Sequence, residues 1–159
     1  MNSSATQSRA GLRAAFSEGG ERAALQYLNS HTGFRFTSMY RFHGNLLRAI
    51  CVFDRERPDE LSPPPDVPLS ATYCLFQKDG NRSIAIDDAL QDPRLVNHVA
   101  REAVRSYVGV PLRDVRGAII GSACHFSFEP HSEQVDLEML ETLSDLMGIG
   151  SGRFESNAR

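Results

Sequence analysis

Cysteine is scarce in this chain, and positive charge is neither dominant nor clustered. The chain has three cysteines, an odd number at uneven spacing: Cys51, Cys74 and Cys124. This pattern excludes a secreted disulfide framework and a paired zinc motif, and it predicts reduced thiols. The formal net charge is -3, and the dispersed lysines and arginines form no basic stripe for a phosphate backbone or an anionic bilayer. We therefore expect no nucleic acid and no membrane among the partners.

Long hydrophobic runs and catalytic signatures are also absent. No apolar stretch approaches the ~20 residues that a membrane-spanning helix needs. Residues 1–6 lack the basic-then-apolar pattern of a signal peptide, which predicts a cytoplasmic protein. The sequence contains no Gly-x-Ser-x-Gly, Walker, His-Glu-x-x-His or Gly-x-Gly-x-x-Gly motif. Because those motifs accompany several large enzyme classes, their absence favours binding over catalysis.

The first third of the chain reads as helices followed by a hairpin. With 159 residues, 41% of them hydrophobic, the chain is long enough for one domain with a sizeable core. Two short helical patterns surround Leu12 and Leu25, and Gly33 is expected to cap the second. Residues 34–42 alternate between apolar and polar side chains, and Gly44-Asn45 then predicts a tight turn into an antiparallel strand over residues 46–54.

The middle of the chain is less regular. Residues 55–68 are charged and then proline-rich, which predicts a surface loop. A short helix capped by Ser70 and a third strand around Ile84 are expected to follow. Asp92-Pro93 has the pattern of a helix start, with three residues behind it at core spacing: Leu95, Val99 and Val104.

The last third contains the clearest pattern. Two apolar strands within residues 106–128, separated by a polar turn, predict a second hairpin, and a helix with a wide apolar stripe should run from Ser132 to Met147. The fold class is therefore α+β, with a central antiparallel sheet of five to six strands and helices on both faces. We expect residues 1–18 to be a helical extension, 19–150 the domain and 151–159 a flexible tail.

The segment Ser106–Pro130 closely resembles the signature of GAF domains, through Tyr-Val-Gly-Val-Pro-Leu and then Ile-Gly-Ser-Ala-Cys-His-Phe. Ile86-Asp87-Asp88-Ala89 and Asp92-Pro93-Arg94 resemble the middle of the same family, and the likeness extends from about Leu25 to Met147. The resemblance implies a sensor module whose ligand pocket lies between the sheet and residues 55–104, which we call the crossover segment. It also implies a homodimer, for which we expect a helical face from residues 21–32 and 132–147.

Specialised branches of the family suggest more particular chemistry. Bilin-binding members carry their chromophore on a cysteine in the helix that is expected here after Pro93, and this helix contains no cysteine. The pair Cys124-His125 resembles that anchor only superficially, because it is expected on a strand. Members that reduce free methionine sulfoxide resemble this chain at Cys74, but their other cysteines would fall at Pro63-Pro64-Pro65 and Ala100. A haem-binding branch would use His98. The Asn-Lys-x-x-x-Phe-x-x-x-Asp-Glu pattern of cyclic-nucleotide binders is absent.

Seven residues are candidates for ligand binding, and the cofactor stays unknown. Aromatic and thiol groups could wall a pocket, arginine could hold a carboxylate or phosphate, and aspartate could accept ligand donors. Solvated arginines and capping aspartates are the competing interpretation. The candidates are Tyr73, Cys74, Asp87, Asp88, His98, Arg101 and Tyr107.

The hypotheses about function belong to different classes. The first is a sensory module that binds a small cytoplasmic molecule and signals through its dimer or through a partner protein in trans. The second is a thiol-based redox enzyme centred on Cys74, the third a haem sensor using His98, and the fourth a scaffold that only dimerises. No catalytic residue and no metal ligand set is assigned from the sequence.

Overall fold

The fold is built on a six-stranded antiparallel sheet with strand order β3-β2-β1-β6-β5-β4. A computed structural model describes residues 3–80 and 82–147. The strands are β1 (Phe36–His43), β2 (Leu46–Asp54), β3 (Val67–Pro68), β4 (Ile84–Ile86), β5 (Ser106–Arg113) and β6 (Ile119–Ser127). The helices are α1 (Ser3–Asn29), α2 (Cys74–Gly80) and α3 (Leu137–Leu146). The expected α+β fold, with helices on both faces of the sheet, is confirmed.

Both hairpins form as the sequence predicts. β1 pairs with β2 through a turn at Gly44-Asn45, where Gly44 has a φ of 61°, as the tight hairpin turn requires. β5 and β6 pair antiparallel from Ser106↔Ser127 to Arg113↔Ile119. The two hairpins join in the centre of the sheet, because β1 also pairs with β6. This central pairing places β1 and β6 where both of their faces can be covered.

One face of the sheet is covered by α1 and α3. A kink at Gly20 divides α1 into the two helical stretches that the sequence suggests. α3 begins later than expected, at Leu137, because the Asp136 carboxylate accepts a hydrogen bond from the Glu138 N–H and caps the helix. The core on this face includes Leu12, Leu25, Leu28, Met39, Val110, Leu112, Leu140 and Leu143.

The other face is covered by the crossover segment, which is less helical than the sequence predicts. Asp92 caps only a short 3-10 helix, Pro93–Leu95, and turns follow in place of an α-helix. Leu95 is buried as expected, but Val99 is 76% exposed, so its assignment to the core is wrong. The ring Nδ1 of His98 accepts the Ala100 N–H, and this local bond competes with a helical backbone ladder.

Two predicted caps are also wrong. Ser70 lies inside the 3-10 helix Leu69–Ala71, and α2 begins only at Cys74. Gly33 does not cap α1, which ends at Asn29; its N–H instead donates to the Glu133 carboxylate at 2.6 Å. The predicted loop over residues 55–68 ends in β3, a short edge strand on β2. The expected tail, residues 151–159, lies outside the described residues. Within the described chain, no helix combines the length and apolarity needed to cross a bilayer.

Strand alternation places Cys124 and His125, which are neighbours in the chain, on opposite faces of β6. Cys124 belongs to the apolar cluster beneath the crossover segment. His125 points to the opposite face, where its Nδ1 lies 2.7 Å from the Thr37 hydroxyl. Burial lowers the pKa of His125 to about 4, so the ring is a neutral part of the core at pH 7.

Candidate functional site

A cavity of about 180 Å³ lies between the sheet and the crossover segment. Its position agrees with what the family resemblance implies. The sheet contributes Tyr40, Leu47, Val67, Tyr107, Cys124 and Phe126, whereas the rest of the crossover segment contributes Pro64, Pro65, Ala71, Thr72, Tyr73, Cys74, Ala100 and Val104. The wall is therefore mostly apolar, with hydroxyl and thiol groups at a few points, as is typical of small-molecule sites.

Cys74 is the most strongly hydrogen-bonded thiol of the cavity wall. Its Sγ accepts the Ser122 hydroxyl at 3.0 Å and lies 3.4 Å from the Tyr107 hydroxyl. The Tyr107 hydroxyl itself accepts the Gln77 side-chain N–H at 2.5 Å, which leaves its own proton free to point at Cys74. Cys74 is only 2% exposed, so these groups act on the sulfur in the absence of bulk water.

Cys124 lies on the sheet side of the same cavity, beside Cys74. Its Sγ is 3.1 Å from the Ser38 hydroxyl. Hydrogen bonds from Cys124 and then Ser122 lower the pKa of Cys74, although burial opposes them. Burial and the neighbouring Cys74 raise the pKa of Cys124. The pair therefore divides its protons unequally, and Cys74 is the sulfur that carries negative charge more readily.

Tyr73 forms a fixed part of the wall. Its hydroxyl donates to the Val104 carbonyl at 2.7 Å, and its ring meets the Tyr107 ring edge-on with centroids 5.5 Å apart. These contacts satisfy the polar end of the side chain and expose its aromatic face to the cavity. The site is thus preformed on this side.

Four of the sequence candidates do not line the cavity. Both ring nitrogens of His98 are engaged, because Nδ1 accepts the Ala100 N–H and Nε2 lies 3.1 Å from the Thr72 carbonyl. This arrangement does not support an axial haem ligand, which needs a free ring nitrogen. The Arg101 guanidinium donates to the Val96 carbonyl at 3.1 Å and to the Leu90 carbonyl at 3.0 Å. Both side chains therefore organise the crossover segment.

The two aspartates act at the end of β4. The Asp88 carboxylate accepts the Leu90 N–H at 3.1 Å and forms an ion pair with Arg105 at 2.9 Å. Asp87 is exposed, and its carbonyl accepts the His131 N–H at 3.0 Å. Capping and loop anchoring therefore explain these positions, as the competing interpretation anticipates.

Several cavity residues were not identified from the sequence. Tyr40, Cys124 and Phe126 point toward the cavity because they share one face of the pleated sheet. The alternation of β1 and β6 was a usable signal for them. Pro64, Pro65 and Ala100 line the cavity as well. These three residues occupy the positions at which the family resemblance puts the additional cysteines of the methionine sulfoxide reductases. The cavity wall therefore has alkyl groups, not thiols, at these positions.

The fold and the cavity together define a class of small domains that can hold a ligand. In this class an antiparallel sheet has two helices on one face and a cavity under a crossover segment on the other. The chain belongs to the GAF domain family, whose model matches residues 22–150. The family fold supports a sensory or ligand-binding module. A comparison with the sequences of curated proteins gives no significant match.

Solved structures with the same fold include proteins with different functions. The GAF domain of an Acinetobacter phosphoenolpyruvate-protein phosphotransferase is 13% identical, with a TM-score of 0.72 over 97% of each chain. The type II free methionine-R-sulfoxide reductase from Thermoplasma acidophilum is 21% identical, with a TM-score of 0.63 over 90% of this chain and 96% of that one. The Neisseria meningitidis enzyme, solved with its substrate, is 19% identical, with a TM-score of 0.61 over 98% of this chain and 92% of that one. Identities this low show a shared fold alone.

Proposed function

We propose that the chain is a sensory module that binds a small cytoplasmic molecule in the cavity between the sheet and the crossover segment. The observation that carries this proposal is the cavity of about 180 Å³, which the described side chains leave unfilled and which a largely apolar wall surrounds. A scaffold that only dimerises has no need of such a space. Apolar cavities weaken packing, so a retained one favours an occupant.

The wall indicates the chemistry of the ligand. Most lining atoms belong to alkyl and aromatic groups, and the polar points are hydroxyls and thiols, including the hydroxyl of Tyr107 and the thiols of Cys74 and Cys124. No cationic side chain is among the described lining residues, which argues against a phosphate or carboxylate as the main anchor. The proposed ligand is therefore small, mainly apolar and uncharged where it meets the sheet.

A thermal-shift screen across a metabolite panel, with mass spectrometry of co-purified small molecules, tests this function. A ligand at about 100 times its Kd stabilises the native state by ~2.7 kcal/mol. That corresponds to a rise in Tm of about 5–10 °C for a chain of this size. No co-purified molecule and no shift from any compound would favour the scaffold hypothesis instead.

We also propose that the module is a homodimer that signals through its helical face or through a partner protein in trans. α1 and α3 lie side by side on the face opposite the cavity, linked by an ion pair between Arg9 and Glu138 at 2.5 Å. A ligand that moves the sheet would therefore act on both helices at once. Light scattering at micromolar concentration should give the mass of a dimer; a monomer throughout would contradict this part of the proposal.

A thiol-based reductase is the second candidate, favoured by the position of Cys74 in the cavity wall with a lowered pKa. In that reaction the Cys74 sulfur would take the oxygen of a sulfoxide and leave the thioether. Reduction of free methionine sulfoxide in the presence of a dithiol, lost in Cys74→Ser and retained in Cys51→Ser, would establish it. The alkyl groups of Pro64, Pro65 and Ala100 weigh against it, because resolving thiols are missing at those places.

A further inference from the structure

Two thiols from different layers of the fold meet at the cavity. Cys74 begins α2 in the crossover segment, and Cys124 lies in the centre of β6. The Cys74 Sγ lies 3.0 Å from the hydroxyl of Ser122, which precedes Cys124 by two residues and therefore shares its face of the strand. Both thiols line the same cavity and pack in the same buried cluster, so they face one another across a short space.

We propose that Cys74 and Cys124 are an oxidation site for small hydroperoxides, which close to a disulfide across the cavity. The Cys74 sulfur attacks one peroxide oxygen, so an S–O bond forms, the O–O bond breaks, and the other oxygen leaves as hydroxide or alkoxide. The Cys124 sulfur then attacks the sulfenic sulfur of Cys74. An S–S bond forms, the S–O bond breaks, and the departing hydroxide leaves as water with the Cys124 proton. The peroxide is reduced, and the two thiols are oxidised.

The surroundings of the pair suit this order of events. The hydroxyls of Ser122 and Tyr107 point at Cys74, where they stabilise the attacking sulfur, whereas Cys124 keeps its proton until the second step. The cavity itself supplies the path for a molecule as small as hydrogen peroxide, because both cysteines belong to its wall. Two thiols of different acidity that face the same cavity are the arrangement that a peroxide-reactive and a resolving cysteine need.

The disulfide would link the crossover segment to the sheet. Cys74 belongs to the covering layer and Cys124 to the sheet beneath it, so the bond would cross the cavity that both residues line. A ligand bound there would be trapped, and an empty cavity would be closed to a new one. This regulatory consequence rests on the proposed function, whereas the oxidation itself does not.

Cys51 provides an internal control. It lies on β2, is half-buried, and packs against the core under α1 and α3, on the opposite side of the sheet from the cavity. Burial raises the pKa of Cys51. We therefore expect Cys74 to react with hydrogen peroxide about tenfold faster than Cys51, because the hydroxyls of Ser122 and Tyr107 stabilise the Cys74 thiolate and the cavity gives the peroxide access to it.

Hydrogen peroxide treatment of the wild type and of Cys51→Ser, followed by peptide mass spectrometry without reduction, tests the proposal. Both proteins should lose two hydrogens and yield one peptide pair joined through Cys74 and Cys124. Cys124→Ser should instead accumulate a dimedone-reactive sulfenic acid at Cys74, and Cys74→Ser should give neither product. The proposal would be overturned if Cys51→Ser yielded no linked peptides, or if dimedone labelled Cys51 as fast as Cys74.

The same experiment separates this inference from the proposed function. Ligand-induced thermal shifts are measured on the reduced wild type, and disulfide formation is measured without ligand. If a ligand raises the Tm but peroxide forms no disulfide, only the oxidation site is refuted. If peroxide forms the disulfide but no ligand raises the Tm, only the ligand site is refuted. Cys51→Ser retains both cavity thiols, so the outcome does not depend on whether the Cys74 and Cys124 variants fold.

Discussion

Replacing Ala100 with phenylalanine should abolish ligand binding without unfolding the chain. Ala100 lies in the cavity wall on the crossover segment, and its side chain is partly buried. A benzyl group at this position would occupy space that the ligand needs, whereas the backbone N–H that bonds to His98 would be unchanged. We expect the ligand-induced thermal shift to disappear, with a loss of affinity of at least about tenfold, or ~1.4 kcal/mol.

Val99→Phe is the matched control. Val99 precedes Ala100 in the chain but is 76% exposed, so the same aromatic group would point into solvent there. Its affinity and thermal shift should equal those of the wild type. An equal loss in both variants would mean that the segment is sensitive to any substitution and that the cavity is not the binding site.

Gly121→Ala should destabilise the domain more than any other alanine substitution of a described glycine. Gly121 lies in β6 where that strand meets β1, and a Cβ added there would come within 2.1 Å of the Tyr40 carbonyl oxygen and 3.0 Å of the Arg41 Cα. Both obstacles are backbone atoms in the centre of the sheet, so relief requires the two strands to separate. We expect the free energy of unfolding to fall by about 4 kcal/mol, above the usual cost of overpacking.

Gly80→Ala provides the comparison. An added Cβ at Gly80, the last residue of α2, would meet only the Arg82 side chain at 3.9 Å. Chemical denaturation should show a change within ~0.5 kcal/mol for this surface substitution. Similar destabilisation by the two variants would contradict the close approach of β1 and β6.

The sheet was largely predictable because its signals are local. Period-two alternation identifies residues 34–42, a glycine turn at Gly44 fixes the hairpin, and the 106–128 segment contains a second hairpin of the same kind. Each of these patterns specifies which face a side chain occupies. The register follows from the turn as far as Tyr40↔Ala49, where a bulge shifts the pairing, so that Leu47 lines the cavity and Cys51 packs on the opposite face.

The crossover segment was less predictable because its shape depends on individual bonds. Asp88 and Asp92 each cap only one short turn, and His98 accepts a backbone N–H that a helix would have used. A sequence pattern does not reveal which of these side chains turns back onto its own backbone. That choice is made by packing against the sheet, and it is the reason that Val99 faces solvent.

The candidate site, like the fold, was predictable from the sequence only in part. Tyr73, Cys74 and Tyr107 were named from the sequence, and they line the cavity. The expected strand position of Cys124 argues against a role in ligand attachment, yet a strand forms part of the cavity wall. Cys74 and Cys124 are 50 residues apart in the chain, and only the fold brings them to the same cavity.

Hydrogen–deuterium exchange with and without the most stabilising compound of the panel tests the central claim most directly. Slower exchange is expected in residues 64–77 and 95–107, with a smaller change in α1 and α3. Protection confined to α1 and α3, with no change in the crossover segment, would contradict it.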